Sequence, residues 1–131
     1  DWTAATETAG PYSEAIRHDP GEPRHLLSRG QTRERFGETE AAIADLSLAI
    51  RLSEGTFPSA SSSRGVAKFN LGDLHGAIAD YSKAIEQDPH EPIYRENRAE
   101  AWRDLGNPQE AEADERIARA LRAPRQGREH P

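Results

Sequence analysis

The chain repeats itself at an interval of about 34 residues, and nothing else in it constrains the fold as strongly. Shifted by 35 residues, Gly37-Glu38-Thr39-Glu40-Ala41-Ala42-Ile43-Ala44-Asp45-Leu46-Ser47-Leu48-Ala49-Ile50 lies on Gly72-Asp73-Leu74-His75-Gly76-Ala77-Ile78-Ala79-Asp80-Tyr81-Ser82-Lys83-Ala84-Ile85. Gly106 continues the series 34 residues on, with Ala111, Ala113-Asp114 and Ala118 in matching places. Upstream, Tyr12-Ser13-Glu14-Ala15-Ile16 and Asp19-Pro20 match Tyr81 to Ile85 and Asp88-Pro89. The single slip falls in Ser53-Glu54-Gly55-Thr56-Phe57, a loop that tolerates an insertion. A period of this length marks a solenoid, in which each unit buries its apolar face only against its neighbours.

Each unit reads as two helices, A and B. In the second copy Pro58 opens helix A, which runs to about Leu71, and Gly72-Asp73 breaks it. Helix B runs from about Leu74 to Gln87, and Asp88-Pro89 stops it, because proline disfavours helix in the residue before it. Ala77, Ile78, Tyr81, Ala84 and Ile85 form the stripe of an amphipathic helix. Small residues recur at Ala42, Ala77 and Ala111, and again at Ala49, Ala84 and Ala118, where they let neighbouring helices approach closely.

With these residues the unit resembles the tetratricopeptide repeat. The family's Gly/Ala, Ala, aromatic, Ala and Pro places hold Gly65, Ala77, Tyr81, Ala84 and Pro89. The first full copy supplies Gly30, Ala42, Leu46 and Ala49, with Glu54 where proline is expected. The third supplies Ala99, Ala111 and Ala118, with Glu115 at the aromatic place. The early Trp and Leu places depart most, holding Leu26 and Arg29, Ser61 and Arg64, Arg95 and Arg98. The resemblance spans residues 8–122. It implies an all-α, right-handed superhelical solenoid of antiparallel helix pairs, about three and a half repeats long. The expected division is a half repeat at 1–22 (a helix B, around Thr8–His18), repeats at 23–57, 58–91 and 92–122, and a disordered tail at 123–131.

Composition agrees with an elongated array. Only 34% of the residues are hydrophobic, low for a compact globule of 131 residues. Charged residues make up 31% and the net charge is −6, which argues against general nucleic-acid binding. There is no cysteine, hence no disulfide and no thiolate chemistry. No apolar run is long enough to span a membrane and no signal peptide is visible, so a cytoplasmic setting is favoured. The chain starts at Asp1 without a methionine, consistent with processing or with excision from a longer protein.

The two ends differ. The B-helix face meant for the next repeat carries Ile43, Leu46 and Ile50, then Ile78, Tyr81 and Ile85, but in the third copy Glu112, Glu115 and Arg119. That helix reads as a polar cap. At the other end Trp2 either covers the exposed edge or, with Tyr12, marks a contact with a missing segment or another subunit.

A charge pair recurs in every copy: Arg29, Arg64 and Arg98 in helix A, and Asp45, Asp80 and Asp114 in helix B. A ligand rarely needs identical contacts three times, so these are expected to be inter-helix bridges that fix register. The functional alternative is a basic ladder for phosphate. By helix, the A segments (23–36, 58–71, 92–105) sum to +5 and the B segments (37–53, 72–88, 106–122) to −6. The A face lines the groove in the family, so this segregation tilts the expected ligand toward an acidic or C-terminal-carboxylate peptide.

The resemblance maps the concave face onto Arg24, Leu27, Ser28, Gln31, Glu34 and Arg35, then Ser59, Ser62, Ser63, Val66, Phe69 and Asn70. The third set is Ile93, Glu96, Asn97, Glu100, Arg103 and Asp104. The residues expected to contact a peptide are Arg24, Gln31, Arg35, Ser63, Phe69, Asn70, Asn97, Glu100 and Arg103. Asn70 and Asn97 suit bidentate bonds to a peptide backbone; the alternative is a solvated helix face. The two-carboxylate clamp of chaperone-tail binders in the family would fall on Leu27, Gln31, Ser63, Ile93 and Asn97, none of them basic. The serine-rich run Ser59, Ser61, Ser62 and Ser63 is a mediocre helix former and reads as a loosely held helix entrance.

Catalysis finds no support. His18, His25, His75, His90 and His130 are scattered, without metal-ligand spacing, and phosphate loops and a serine-nucleophile elbow are absent. An acid/base pair would have to be assembled across the groove, for example Glu34 with Glu100. The expected role is a scaffold binding a protein or peptide, with no enzyme activity and no cofactor or metal. The alternatives are a self-assembly element stacking as a homo-oligomer through its N-terminal edge and an interaction fragment of a larger enzyme or regulator.

Overall fold

The computed structural model describes residues 10–18 and 21–124. Seven helices follow one another among them: α1 (Gly10–His18), α2 (Pro23–Arg35), α3 (Thr39–Leu52), α4 (Pro58–Asn70), α5 (Leu74–Gln87), α6 (Pro92–Asp104) and α7 (Pro108–Arg122). The described residues contain no strand. Helices α2, α4 and α6 are the A helices, and α3, α5 and α7 the B helices. Helix α1 packs on α2 in the place of a preceding helix B. Trp2 and the tail from residue 125 lie outside the described residues.

The helix limits follow from local chemistry. Proline stands in the first turn of α2, α4, α6 and α7, where a missing N–H costs nothing. Glu22 and Glu91 cap α2 and α6 by accepting from the backbone of Arg24 and Ile93. Asp73 caps α5 through Gly76 at 2.9 Å. Each A helix ends on a glycine at positive φ, Gly37 at 83°, Gly72 at 86° and Gly106 at 91°. There a left-handed residue lets the next N–H bond back five residues: Glu38 to Arg33, Asp73 to Lys68 and Asn107 to Trp102. The loop with the extra residue turns on Glu54 and Gly55, both at positive φ, and Gln87 holds it by donating to the Gly55 carbonyl at 2.7 Å.

Helices pack on their sequence neighbours, A on B within a repeat and B on the next A between repeats. The A helices also touch one another, α2 with α4 and α4 with α6, whereas the B helices make no comparable contact. The A layer therefore lies on the inner, concave side. The buried core is mostly alanine, including Ala42, Ala49, Ala77, Ala84, Ala111 and Ala118, with Leu26, Leu46, Tyr81, Ile85 and Tyr94 as its large members. Ser61 and Ser62 are buried as well. The serine-rich start of α4 is thus not a loose entrance: Ser61 and Ser62 are buried beside Ala60, which packs on Leu26, Leu46 and Ala49 of the preceding repeat.

Burial, helped by the nearby charges of Glu100 and Asp80, pushes the Tyr81 phenol above its ordinary pKa. A phenol that holds its proton more tightly when folded than when unfolded takes stability away once pH passes its unfolded value of about 10. We expect the urea midpoint to fall from about pH 10 upward, and to fall less in Tyr81→Phe.

Candidate functional site

The recurring charged residues meet across each helix pair. Arg29 grips Asp45 with two bonds, Nε–Oδ2 at 2.9 Å and Nη2–Oδ1 at 2.8 Å. Arg64 does the same to Asp80 at 2.9 and 2.8 Å, and Arg98 to Asp114 at 2.7 Å twice. The aspartates are buried, with side chains 5–7% exposed. Two further cations lie on them, Arg33 on Asp45 and Lys68 on Asp80. In the third copy Trp102 occupies the corresponding place.

Each arginine reaches further, to the helix of the preceding unit. Its Nη1 donates to a serine hydroxyl: Arg29 to Ser13 at 3.2 Å, Arg64 to Ser47 at 3.1 Å and Arg98 to Ser82 at 3.0 Å. Sequence reasoning missed these serines, although Ser13, Ser47 and Ser82 are themselves 34 and 35 residues apart. The aspartate fixes a repeat internally and the serine fixes its register on the one before. In α7 the serine place holds Arg116, exposed and bonded to Glu112. An arginine from a further repeat would meet a like charge there.

The concave face holds a cleft of about 370 Å³ between α2 and α4, with Leu46 of α3 beneath. Its walls are Gln31, Glu34, Arg35, Ser63 and Val66. Gln31 donates to Ser63 across the cleft at 3.0 Å, and the Asn70 amide donates to Glu34 Oε2. Glu34 Oε1 is shielded from water and has no hydrogen-bond partner. Further along, Val66 and Phe69 are half-buried against the cluster of Ala77, Tyr81 and Ala101.

The residues expected to contact a peptide divide accordingly. Gln31, Ser63 and Asn70 are brought together across α2 and α4, Arg35 lines the same cleft, and Asn97 and Glu100 lie on α6. Arg24 sits at the outer end of α2 beside its cap Glu22, and Arg103 is drawn to Glu115 of α7. Ser62 faces the interior. The A-layer excess of positive charge was the ground for expecting an acidic ligand. Arg29, Arg33, Arg64, Lys68 and Arg98 are bound to the B-helix aspartates, so the A-layer excess of positive charge is spent inside the protein.

Among the described residues no cluster could hold a metal ion, and no helix is long and apolar enough to cross a membrane.

This is the architecture of a repeat-built interaction scaffold: helix pairs of one size, a periodic ionic register and a concave face of mixed chemistry. Residues 63–126 match the family model of the tetratricopeptide repeat. Solved structures share its fold. A crystal structure of MamA protein superposes with a TM-score of 0.83 at 20% identity, over 97% of this chain and 69% of that one. A structure described as MamA RS-1 ArsTM double mutant gives 0.80 at 13% identity, over 99% and 71%. One described as MamA MSR-1 C2 gives 0.72 at 20% identity, over 90% and 67%. No curated protein matches the sequence. Folds of this family serve generally as protein-interaction scaffolds and not as catalysts.

Proposed function

We propose that the chain is an adaptor that binds a peptide, or an extended segment of a partner protein, along its concave A-helix face. The observation that carries this reading is the cleft between α2 and α4. It is open to solvent, has apolar surface in Val66 over the buried Leu46, and is rimmed by the amide and hydroxyl groups of Gln31 and Ser63, with Asn70 beside it on Glu34. Amides with both donors and acceptors suit a peptide backbone, and a preformed groove lowers the ordering cost of binding. Asn97, one helix further on, extends the same chemistry.

The test replaces the amides together, Gln31→Ala, Asn70→Ala and Asn97→Ala, in a chain checked to be folded by circular dichroism. Peptides selected from a displayed random library by the native chain should lose at least roughly tenfold in affinity for the variant.

A further inference from the structure

The occupied cations leave the groove with an unexpected sign. Of the charged side chains that line the cleft or that the repeat resemblance maps to the concave side, four have no opposite charge bound to them among the described residues: Glu34 and Arg35 in the cleft, and Glu100 and Asp104 one turn apart on α6. Glu34 has only the neutral Asn70 amide on one oxygen and nothing on the other. Glu100 lies close enough to Tyr81 to disfavour its ionisation. Asp104 ends α6 and is exposed. Arg35 is the single cation of the four. Glu96 is not in this set, because Arg122 of α7 binds it through both oxygens. With Glu100 and Asp104 on the mapped concave side of α6, the groove counts three carboxylates to one guanidinium, beside the half-buried apolar surface of Val66 and Phe69.

We propose that the groove takes a basic peptide segment, with lysine or arginine side chains whose stems lie on Val66 and Phe69 and whose heads meet Glu34, Glu100 and Asp104. Long cationic side chains cover apolar surface with their methylenes while the head stays polar. A guanidinium or ammonium over the Phe69 ring gains a cation–π contact. A cation held near Glu34 is attracted by a carboxylate that no other charge offsets, and complementary sign favours encounter and register. An acidic segment would meet the same three carboxylates and be repelled. This rests on the groove reading above and narrows its ligand class.

The test is a selection from a displayed random nonapeptide library against the immobilised full chain. A variant carrying Glu34→Gln, Glu100→Gln and Asp104→Asn, and a convex-face control carrying Glu86→Gln, Glu110→Gln and Glu112→Gln, are selected in parallel. We expect sequences rich in Lys and Arg from the native chain. We expect their affinity to fall roughly tenfold or more in the groove variant, to stay within about twofold in the convex control, and to weaken with salt. Enrichment of acidic or uncharged peptides that the amide variant fails to bind overturns the charge assignment and leaves the groove reading standing. Equal loss in groove and convex variants overturns it as well, since net charge alone would then be responsible. No enrichment with any chain removes both readings.

Discussion

Replacing Gly65 by valine is expected to destabilise the protein by about 3 kcal/mol, the upper part of the ordinary range for overpacking a core. A Cβ at this position would stand 2.6 Å from Tyr81 Cε1, 2.8 Å from Cδ1 and 3.2 Å from the Ala77 carbonyl. The ring cannot withdraw, because Tyr81 is 2% exposed and packed against Ala77 and Ala101. Gly30 makes the same approach to Leu46, with a Cβ falling 2.8 Å from Cγ. In the third copy alanine is accepted at Ala99, where the residue opposite is Glu115, turned toward Arg103. The small place and the large place thus change together. Urea unfolding of Gly65→Val beside Gly21→Ala checks this, since nothing lies within 4 Å of a Cβ at Gly21. The control should move by no more than about 0.5 kcal/mol, and equal effects would mean that helix approach is not what requires glycine.

Removal of Asp80 should cost nearly as much. Asp80→Ala leaves Arg64 and Lys68 facing each other across a half-buried gap, with side chains 24% and 25% exposed. Breaking a buried pair by removing one partner costs roughly 3–5 kcal/mol. Water reaches both cations, so the lower end, about 3 kcal/mol, applies here. The loss should exceed that of Arg64→Ala, which leaves Lys68 on the carboxylate. It should far exceed Glu86→Ala, which removes only an exposed pair with Lys83 and should cost less than about 0.5 kcal/mol. Arg64 also holds Ser47 of the preceding repeat, so the variant should unfold with a lower urea dependence, as coupling between neighbouring units weakens. An Asp80→Ala protein of native stability would mean that the ionic register is ornamental.

Much of the fold could be read from the residues, because a solenoid writes its geometry once per repeat. The glycines ending each A helix, the prolines opening them and the alanine places all sit in register, and each has a local physical cause. The pairing of Arg29, Arg64 and Arg98 with Asp45, Asp80 and Asp114 was expected from recurrence alone, and those side chains do meet in the structure. The serines of the same network were passed over because a serine on a helix carries little signal by itself; only its 34- and 35-residue spacing sets it apart. The groove was legible only through the family resemblance. A sum over helices says little about its charge, because it counts every cation alike. Arg33 and Lys68 sit one turn after Arg29 and Arg64, on the same helix face, and that placement commits them to the aspartates. Which charges remain free depends on packing, which composition does not encode. The burial of Ser62 has the same origin: helical spacing puts it near the groove, and packing leaves it 7% exposed.

The most direct test of the central claim, that the concave face of the A helices is the binding surface, compares the native chain with Gln31→Ala, Asn70→Ala, Asn97→Ala in affinity capture and in titration with the selected peptides. The account predicts that the folded variant loses the partner and the peptides together, by at least roughly tenfold in affinity. A folded variant that keeps both as before would contradict it and would move the interface to the convex face or the N-terminal edge.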